Sequence, residues 1–275
     1  MKHYFNKEQI SDIINKYNNQ FLSMSKIGKD YQVSKTCIRR ILTENGVEIR
    51  QTNHIYYANY RIFKKIDSKE KAYWLGFIAA DGCVYQREKN ASLIISLNRR
   101  DRDHLEKFKV FANTNANILD FVQTDGFSDN TEMSKIVLNS KKMIEDLIDK
   151  GITPRKSLTL KPPKIDKQYW LSFIKGYFDG DGSIYKTNQY NNYSISFLGT
   201  KEFLQWVKQV LDWEDATLEQ RVQNSQKDCY YIRCGGTNKP YQIMKRFYSE
   251  IDICLDRKNI LYQELQTVVL NRNIK

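Results

Sequence analysis

No apolar run in this chain approaches the ~20 residues that a bilayer-spanning helix needs, and the first residues, MKHYFNKEQ, lack the apolar core of a secretion signal. Membrane insertion and export are not expected, and a cytoplasmic location is. Histidine is scarce: His3, His54 and His104 stand apart from one another and at no metal-ligand spacing from the cysteines. Cys37, Cys83, Cys229, Cys234 and Cys254 are odd in number and form no C-x-x-C pair, which argues against a zinc site or a disulfide framework and for free thiols in a reducing compartment. Acidic residues fall short of basic ones, 32 against 44, and the resulting charge of +12 favours a polyanionic partner. That surplus is densest in the first quarter. No Gly/Ser-rich tether follows it, so the parts of the chain are not expected to be fully independent. What is present suffices for a real core: 275 residues with 41% hydrophobic and 13% aromatic content can build one large domain or two.

Residues 1–50 read as a module of their own. KEQISDIINKY places Ile10, Ile13, Ile14 and Tyr17 on one helical face, and a second short helix over Ser25 to Tyr31 turns Ile27 and Tyr31 inward. Ser34 stands at an N-cap, Lys35 to Asn45 follows with Ile38, Ile41 and Leu42 on one face, and Gly46 closes the unit. Three short helices with a tight turn at Gln32-Val33 match a helix-turn-helix, whose third helix would offer Lys35, Thr36, Arg39 and Arg40 to phosphates and guanine edges. A small helical bundle with an ordinary solvated basic face is the alternative. Residues 51–68 form a connector in which basic and aromatic residues alternate without helical period. Arg50, at its border, and His54, Tyr56, Tyr57, Tyr60, Arg61, Lys64 and Lys65 suit either a segment lying along DNA or aromatics docked on the next domain.

From Lys69 one plan runs twice, over 69–165 and 166–275. YWLGFIAADGCVY, Tyr73 to Tyr85, returns as FIKGYFDGDGSIY, Phe173 to Tyr185, and each copy is followed by strand, strand, helix, strand, strand, helix. LIISLN and YSISFL repeat the alternation, Ile95 matching Ile195 and Leu97 matching Phe197. Each half closes on an Arg-Lys pair, Arg155-Lys156 in GITPRKSLTL and Arg257-Lys258 in DICLDRKNIL. Small residues at Gly76 and Ala80, and at Gly176 and Gly180, leave one face of each motif helix flat enough for another backbone. Pairing those faces would bring Asp81 and Asp181 together at the helix ends. Two adjacent carboxylates repel unless a cation lies between them, and oxygen-only ligation favours magnesium. An isolated Asp-Gly is far more readily an ordinary turn; a matched pair with matched lysines reverses that and points to a two-fold site.

The two copies, WLGFIAADG and IKGYFDGDG, resemble the LAGLIDADG motif of homing endonucleases and of related intron- or intein-associated proteins, and the resemblance covers Lys69 to Lys275. It implies a mixed α+β fold, a duplicated αββαββα arrangement in one pseudo-symmetric monomer with a saddle of antiparallel strands over double-stranded DNA. It implies a sequence-specific endonuclease with Asp81 and Asp181 as catalytic metal ligands, the backbone of Ala80 and Gly180 beside the metal, and Lys156 and Lys258 as basic residues near the reacting phosphates. Magnesium is the implied cofactor, with manganese as a substitute. Ala79 departs from the motif, which often has Asp there; Asp179 keeps it, and the position is read as structural. The leader is similar to the helix-turn-helix modules that some members carry.

Recognition should fall on the strand faces opposite the buried alternation. If Leu93, Ile95 and Leu97 point inward, then Ile94, Ser96 and Asn98 point out, as do Ser194 and Ser196. Lys135, Asn139, Lys186, Tyr231 and Arg233 are further candidates, with Glu219, Arg221 and Gln223 on one side of their strand. The tryptophans Trp74, Trp170, Trp206 and Trp213 read as core. A non-cleaving DNA-binding regulator and an intron RNA maturase remain as alternative functions on the same fold.

Overall fold

A computed structural model describes residues 5–18, 22–47, 49, 56–88, 90–124, 130–187, 192–220 and 229–273. Contacts divide the chain into a unit of Met1–Ala58 with Thr114–Ala116, and a larger unit holding the remainder, both repeat halves included.

The smaller unit contains α1 (Lys7–Asn18), α2 (Met24–Asp30) and α3 (Lys35–Glu44). Ile13, Tyr17, Ile27, Ile38, Ile41 and Leu42 form its core, the residues that the helical periodicity picks out. The second helix begins one residue before the expected Ser25, because the hydroxyl of Ser23 accepts the orphan N–H of Lys26 at 3.2 Å. Ser34 caps α3 as expected, accepting from the Cys37 N–H at 3.2 Å. The turn between them is sharp: Gln32 has φ of 55°, and a Cβ on Gly28 would lie 2.5 Å from the Val33 carbonyl oxygen, so only glycine admits the turn. Arg50 and His54 lie outside the described residues.

In the larger unit Ile62, Phe63 and Ile66 are buried, and Arg61 pairs with Asp146 at 3.1 Å. This part of the connector therefore packs its apolar residues, and one of its cations has a protein partner. The first half then runs α4 (Lys69–Asp81), β1 (Gly82–Gln86), β2 (Ala91–Asn98), α5 (Arg102–Phe111), β3 (Leu119–Gln123), β4 (Thr131–Asn139) and α6 (Lys141–Asp149). The second runs α7 (Trp170–Asp181), β5 (Ser183–Lys186), β6 (Tyr193–Gly199), α8 (Lys201–Val210), β7 (Leu218–Gln220), β8 (Tyr230–Gly236) and α9 (Asn238–Tyr248), and adds α10 (Asp256–Asn273). The fold is mixed α+β, with two antiparallel four-stranded sheets in the orders β1-β2-β4-β3 and β5-β6-β8-β7.

Leu93, Ile95, Leu97, Ile136 and Leu138 of the first sheet, and Tyr193, Ile195, Phe197 and Ile232 of the second, are buried on one face. Helices α5 and α6 pack on the first sheet, and α8 and α9 on the second. Trp74, Trp206 and Trp213 are buried, and Trp170 is half-buried with its ring N–H on the Ile165 carbonyl at 3.2 Å. The halves differ in their first hairpin: Cys83 opposes Ile94, whereas Ser183 opposes Ser196. The shift is two residues, which preserves every side chain's face because the strand period is also two.

The ends of the halves diverge more. The segment at Lys156–Leu158 is a single 3-10 turn that follows left-handed Arg155, while Asp256 opens an α-helix of 18 residues. The matched Arg-Lys pairs suggested equal closures. Pro162 and Pro163 keep any helix begun at Lys156 from running on, whereas the second has an acidic first turn and Tyr262, Leu265 and Val269 buried at helical spacing.

Candidate active site at the ends of two paired helices

Helices α4 and α7 pack backbone to backbone. A Cβ on Gly76 would stand 2.0 Å from the Phe173 carbonyl oxygen, and one on Gly176 would stand 1.9 Å from that of Tyr73. The two contacts are each other's pseudo-two-fold image. One turn on, a Cβ on Gly180 would be 2.3 Å from the Ala80 Cβ and 3.3 Å from Asp81 Oδ2. The small residues thus do bring the two carboxylate-bearing ends side by side.

Burial, and then the charge of Asp181, push the Asp81 acid up to about 7, against the pull of Lys258, Lys156 and Arg257. Asp181 has a solvent-exposed surface, yet crowding by protein atoms raises its acid as well, offset by Lys156 and then Lys258. Neither lysine extends freely into solvent. Lys156 is 7% exposed, and its ammonium donates to the carbonyls of Ala80 at 3.1 Å and Gly82 at 2.5 Å. Lys258 is 2% exposed and donates to the carbonyls of Phe178 (2.6 Å), Asp179 (2.8 Å), Gly180 (3.2 Å) and Gly182 (2.5 Å). Burial lowers both, Lys258 to about 8. Each lysine is therefore the C-terminal cap of its own motif helix, satisfying orphan carbonyls and cancelling the negative end of the helix dipole. That capping role was not legible in the sequence.

The neighbours of each lysine cross to the other half. Arg257 Nε lies 3.0 and 3.1 Å from the two Asp101 oxygens, and Lys107 donates to the Cys254 carbonyl at 3.0 Å and to Asp256 at 2.6 Å. Reciprocally, Thr200 donates to the Leu160 carbonyl at 2.5 Å, and Lys161 pairs with Glu202 at 3.3 Å. Asp179 is fully buried, as Ala79 nearly is at 3%; it accepts hydrogen bonds from Tyr73, Tyr248 and the Leu255 N–H.

The donor set fits a hard divalent cation. Among the described residues no group of three or more His, Cys, Asp or Glu could hold a metal ion; the carboxylates that could serve as anionic ligands here are Asp81 and Asp181, at the adjoining helix ends. That suits magnesium, which binds through one or two carboxylates and completes its shell with water and phosphate. The Ala80 and Gly180 carbonyls, expected beside the metal, each spend one lone pair on a lysine and retain one.

Residues 169–252, which contain α7 to α9, match the family model described as LAGLIDADG-like domain. The second half is a LAGLIDADG-like domain. An uncharacterised protein of Methanocaldococcus jannaschii is 28% identical over 168 residues, 58% of this chain and 59% of its own length; the chain spans about three-fifths of that relative. Similar solved structures include the LAGLIDADG homing endonuclease I-LtrWI bound to target DNA (12% identity, TM-score 0.47, 79% of this chain and 92% of that one). I-GzeII in complex with its DNA target matches at 12% and 0.47 over 74% and 92%. I-SmaMI bound to uncleaved DNA in the presence of calcium matches at 13% and 0.45, again over 74% and 92%.

In the LAGLIDADG-like half the outward strand face carries Ser196 opposite Arg233, with Lys186 exposed on β5. The first half repeats this with Ser96 opposite Lys135. Several candidates already have partners: Arg233 Nε lies 3.6 Å from Glu219, whose carboxylate also accepts from the Tyr231 hydroxyl, and Lys135 sits 4.6 Å over the Phe121 ring. The Asn98 side chain accepts from the Arg100 N–H at 3.1 Å, an N-cap role. Arg221 and Gln223 lie outside the described residues. In the leader, Lys35, Thr36, Arg39 and Arg40 are all exposed on α3, with Arg40 3.8 Å from Glu44. The five cysteines are unpaired, and among the described residues no helix is long and apolar enough to cross a membrane.

Proposed function

We propose that the protein is a sequence-specific, magnesium-dependent endonuclease that hydrolyses both strands of double-stranded DNA as a pseudo-symmetric monomer. One observation carries this reading: two carboxylates are held at the adjoining ends of two glycine-packed helices, each helix end neutralised by its own buried lysine. An uncapped helix C-terminus carries roughly half a negative charge, which would oppose an incoming phosphate. Lys156 and Lys258 remove that opposition, so two carboxylates and a phosphodiester can share one place. Asp81 and Asp181 would hold magnesium, which supplies a Lewis acid and a bound water of lowered pKa when present.

The outward faces of the two sheets offer Ser96, Lys135, Ser196 and Arg233 to DNA, with Asn98 bound to its own cap; Lys186 instead stands on the face of buried Ile184, opposite Tyr193 and 5.9 Å over its ring, exposed only because β5 ends there. The leader is a second DNA-binding module in which Lys35, Thr36, Arg39 and Arg40 of α3 lengthen the recognised site.

Incubating the chain with magnesium and a randomised duplex library, and sequencing the cleaved ends, tests the reading. Defined cleavage that Asp181→Asn abolishes while duplex binding persists is the expected result. Pure Asp181→Asn protein that still cuts would sink it. Binding without cutting by the unaltered chain would mark a regulator, and preference for structured RNA at equal salt a maturase.

A further inference from the structure

We propose that Asp179 is a positioning residue for the second half alone, setting Lys258 against the end of α7 and thereby making the two half-sites unequal in cutting their strands. The proposal rests on the endonuclease reading above. Asp179 is fully buried, and three donors from three elements converge on it: the Tyr73 hydroxyl of α4 at 2.6 Å, the Tyr248 hydroxyl of α9 at 3.0 Å, and the Leu255 N–H ahead of α10 at 2.9 Å. Tyr73 is itself oriented by His104, whose Nε2 is 3.2 Å from its hydroxyl.

Leu255 carries the consequence to the site. Its carbonyl accepts the backbone N–H of Lys258 at 2.9 Å and of Asn259 at 3.1 Å, so the first turn of α10 hangs from the residue that Asp179 grips. The Lys258 ammonium then returns to the carbonyl of Asp179 itself and to three others around it. A closed path therefore runs from the Asp179 carboxylate through Leu255 to Lys258 and back to the helix end that bears Asp181.

Among the described residues the first half shows no such path. Ala79 takes the place of Asp179, Phe173 takes the place of Tyr73, and Lys156 enters from left-handed Arg155 and, among those residues, donates to two carbonyls. That half packs with apolar groups, so packing alone does not call for the buried carboxylate. Burying a carboxylate is costly unless donors surround it, and donors fix direction and distance where apolar contacts let groups slide. The polar version therefore supplies placement of Lys258 that the apolar version does not supply for Lys156.

The test uses the full chain with magnesium and a duplex that the unaltered protein cleaves, taken from the randomised library, with each strand separately end-labelled. Asp179→Asn cannot accept at both oxygens; it is expected to slow one strand by about tenfold and the other by less than about threefold, so that a duplex nicked on one definite strand accumulates. Tyr248→Phe, which removes a single hydroxyl, should slow the same strand by a smaller factor. Tyr73→Phe with Asp179→Ala copies the pseudo-equivalent pair of Phe173 and Ala79 and should regain thermal stability without regaining the slow strand's rate, because the Leu255 N–H stays orphaned. Equal loss on both strands in Asp179→Asn and Tyr248→Phe, or full recovery of rate in the double variant, overturns the proposal while leaving the nuclease reading intact. An unaltered chain that cleaves no duplex overturns both.

Discussion

Gly176 meets Tyr73 with no side chain between the helices: a Cβ on Gly176 would sit 1.9 Å from the Tyr73 carbonyl oxygen, and the pseudo-equivalent Gly76 meets Phe173 at 2.0 Å. The obstacle in both cases is backbone, which cannot rotate aside.

Gly176→Ala is therefore expected to destabilise by at least the ~1–3 kcal/mol typical of overpacking, because the helices must separate and carry Asp81 and Asp181 apart. Gly235→Ala, where the nearest atom stands 3.8 Å away, should cost far less. Urea unfolding of the two variants compares them, and equal midpoints would show that the close approach does not matter.

The lysine caps should be unequal. Lys258→Met takes its donor from four carbonyls, of which the Phe178 oxygen keeps the Gly182 N–H at 2.9 Å, and Lys156→Met from two. Unsatisfied buried groups cost ~1–3 kcal/mol each before water enters, so both losses should be measurable by denaturant titration, with Lys258→Met the greater. The reverse order would argue against capping as the main role of these side chains.

Asp81 holds its proton up to about pH 7 in the folded chain, against an ordinary value of 3.8. A folded pKa above the unfolded one favours folding most below about pH 4, and that contribution is lost as pH rises through about 7. The full shift corresponds to ~4 kcal/mol, an upper bound because solvent screens part of it. Asp181 adds a slope of the same sign, whereas Lys258, at about 8, stays charged across this window. Metal-free protein should thus melt at a lower temperature at pH 7.5 than at pH 5. Asp81→Asn should flatten the dependence nearest neutrality, as read by thermal melts across pH.

Magnesium should reverse that loss, since a cation held by the two carboxylates replaces their protons. At pH 7.5 the melting temperature should rise with added magnesium and fall again with chelator, and Asp181→Asn should blunt the rise. A melting temperature indifferent to magnesium would count against Asp81 and Asp181 as ligands.

Arg39 is exposed on α3. As a phosphate contact it should behave additively: Arg39→Ala is expected to weaken duplex binding across sequences and to reduce the slope of log affinity against log salt by about one. Binding titrations at several salt concentrations measure this.

Much of the fold was legible because it is written in short-range spacing. The alternation of Leu93, Ile95 and Leu97 named the buried sheet face, Ser34 marked the start of α3, and Gly76 with Ala80 marked the flat side of α4, each from neighbours within one or two turns. The same spacing put Asp81 and Asp181 at matching positions of two like helices. It could not tell which groups would enclose them.

The sequence by itself determined the duplicated plan, the helix pairing through small residues and the identity of the paired carboxylates. Tertiary structure alone decided what the other polar groups do. Lys156 and Lys258 became helix caps because burial set their ammoniums against backbone carbonyls. Asp179 became an anchor because folding brought Tyr73, 106 residues away, and Leu255, 76 residues away, to one buried carboxylate. The first half closed in a 3-10 turn and the second in α10 because prolines follow one Arg-Lys pair and a buried helical stripe follows the other. Periodicity records which face of an element is apolar; it does not record which distant donor that face will bring to a buried acceptor.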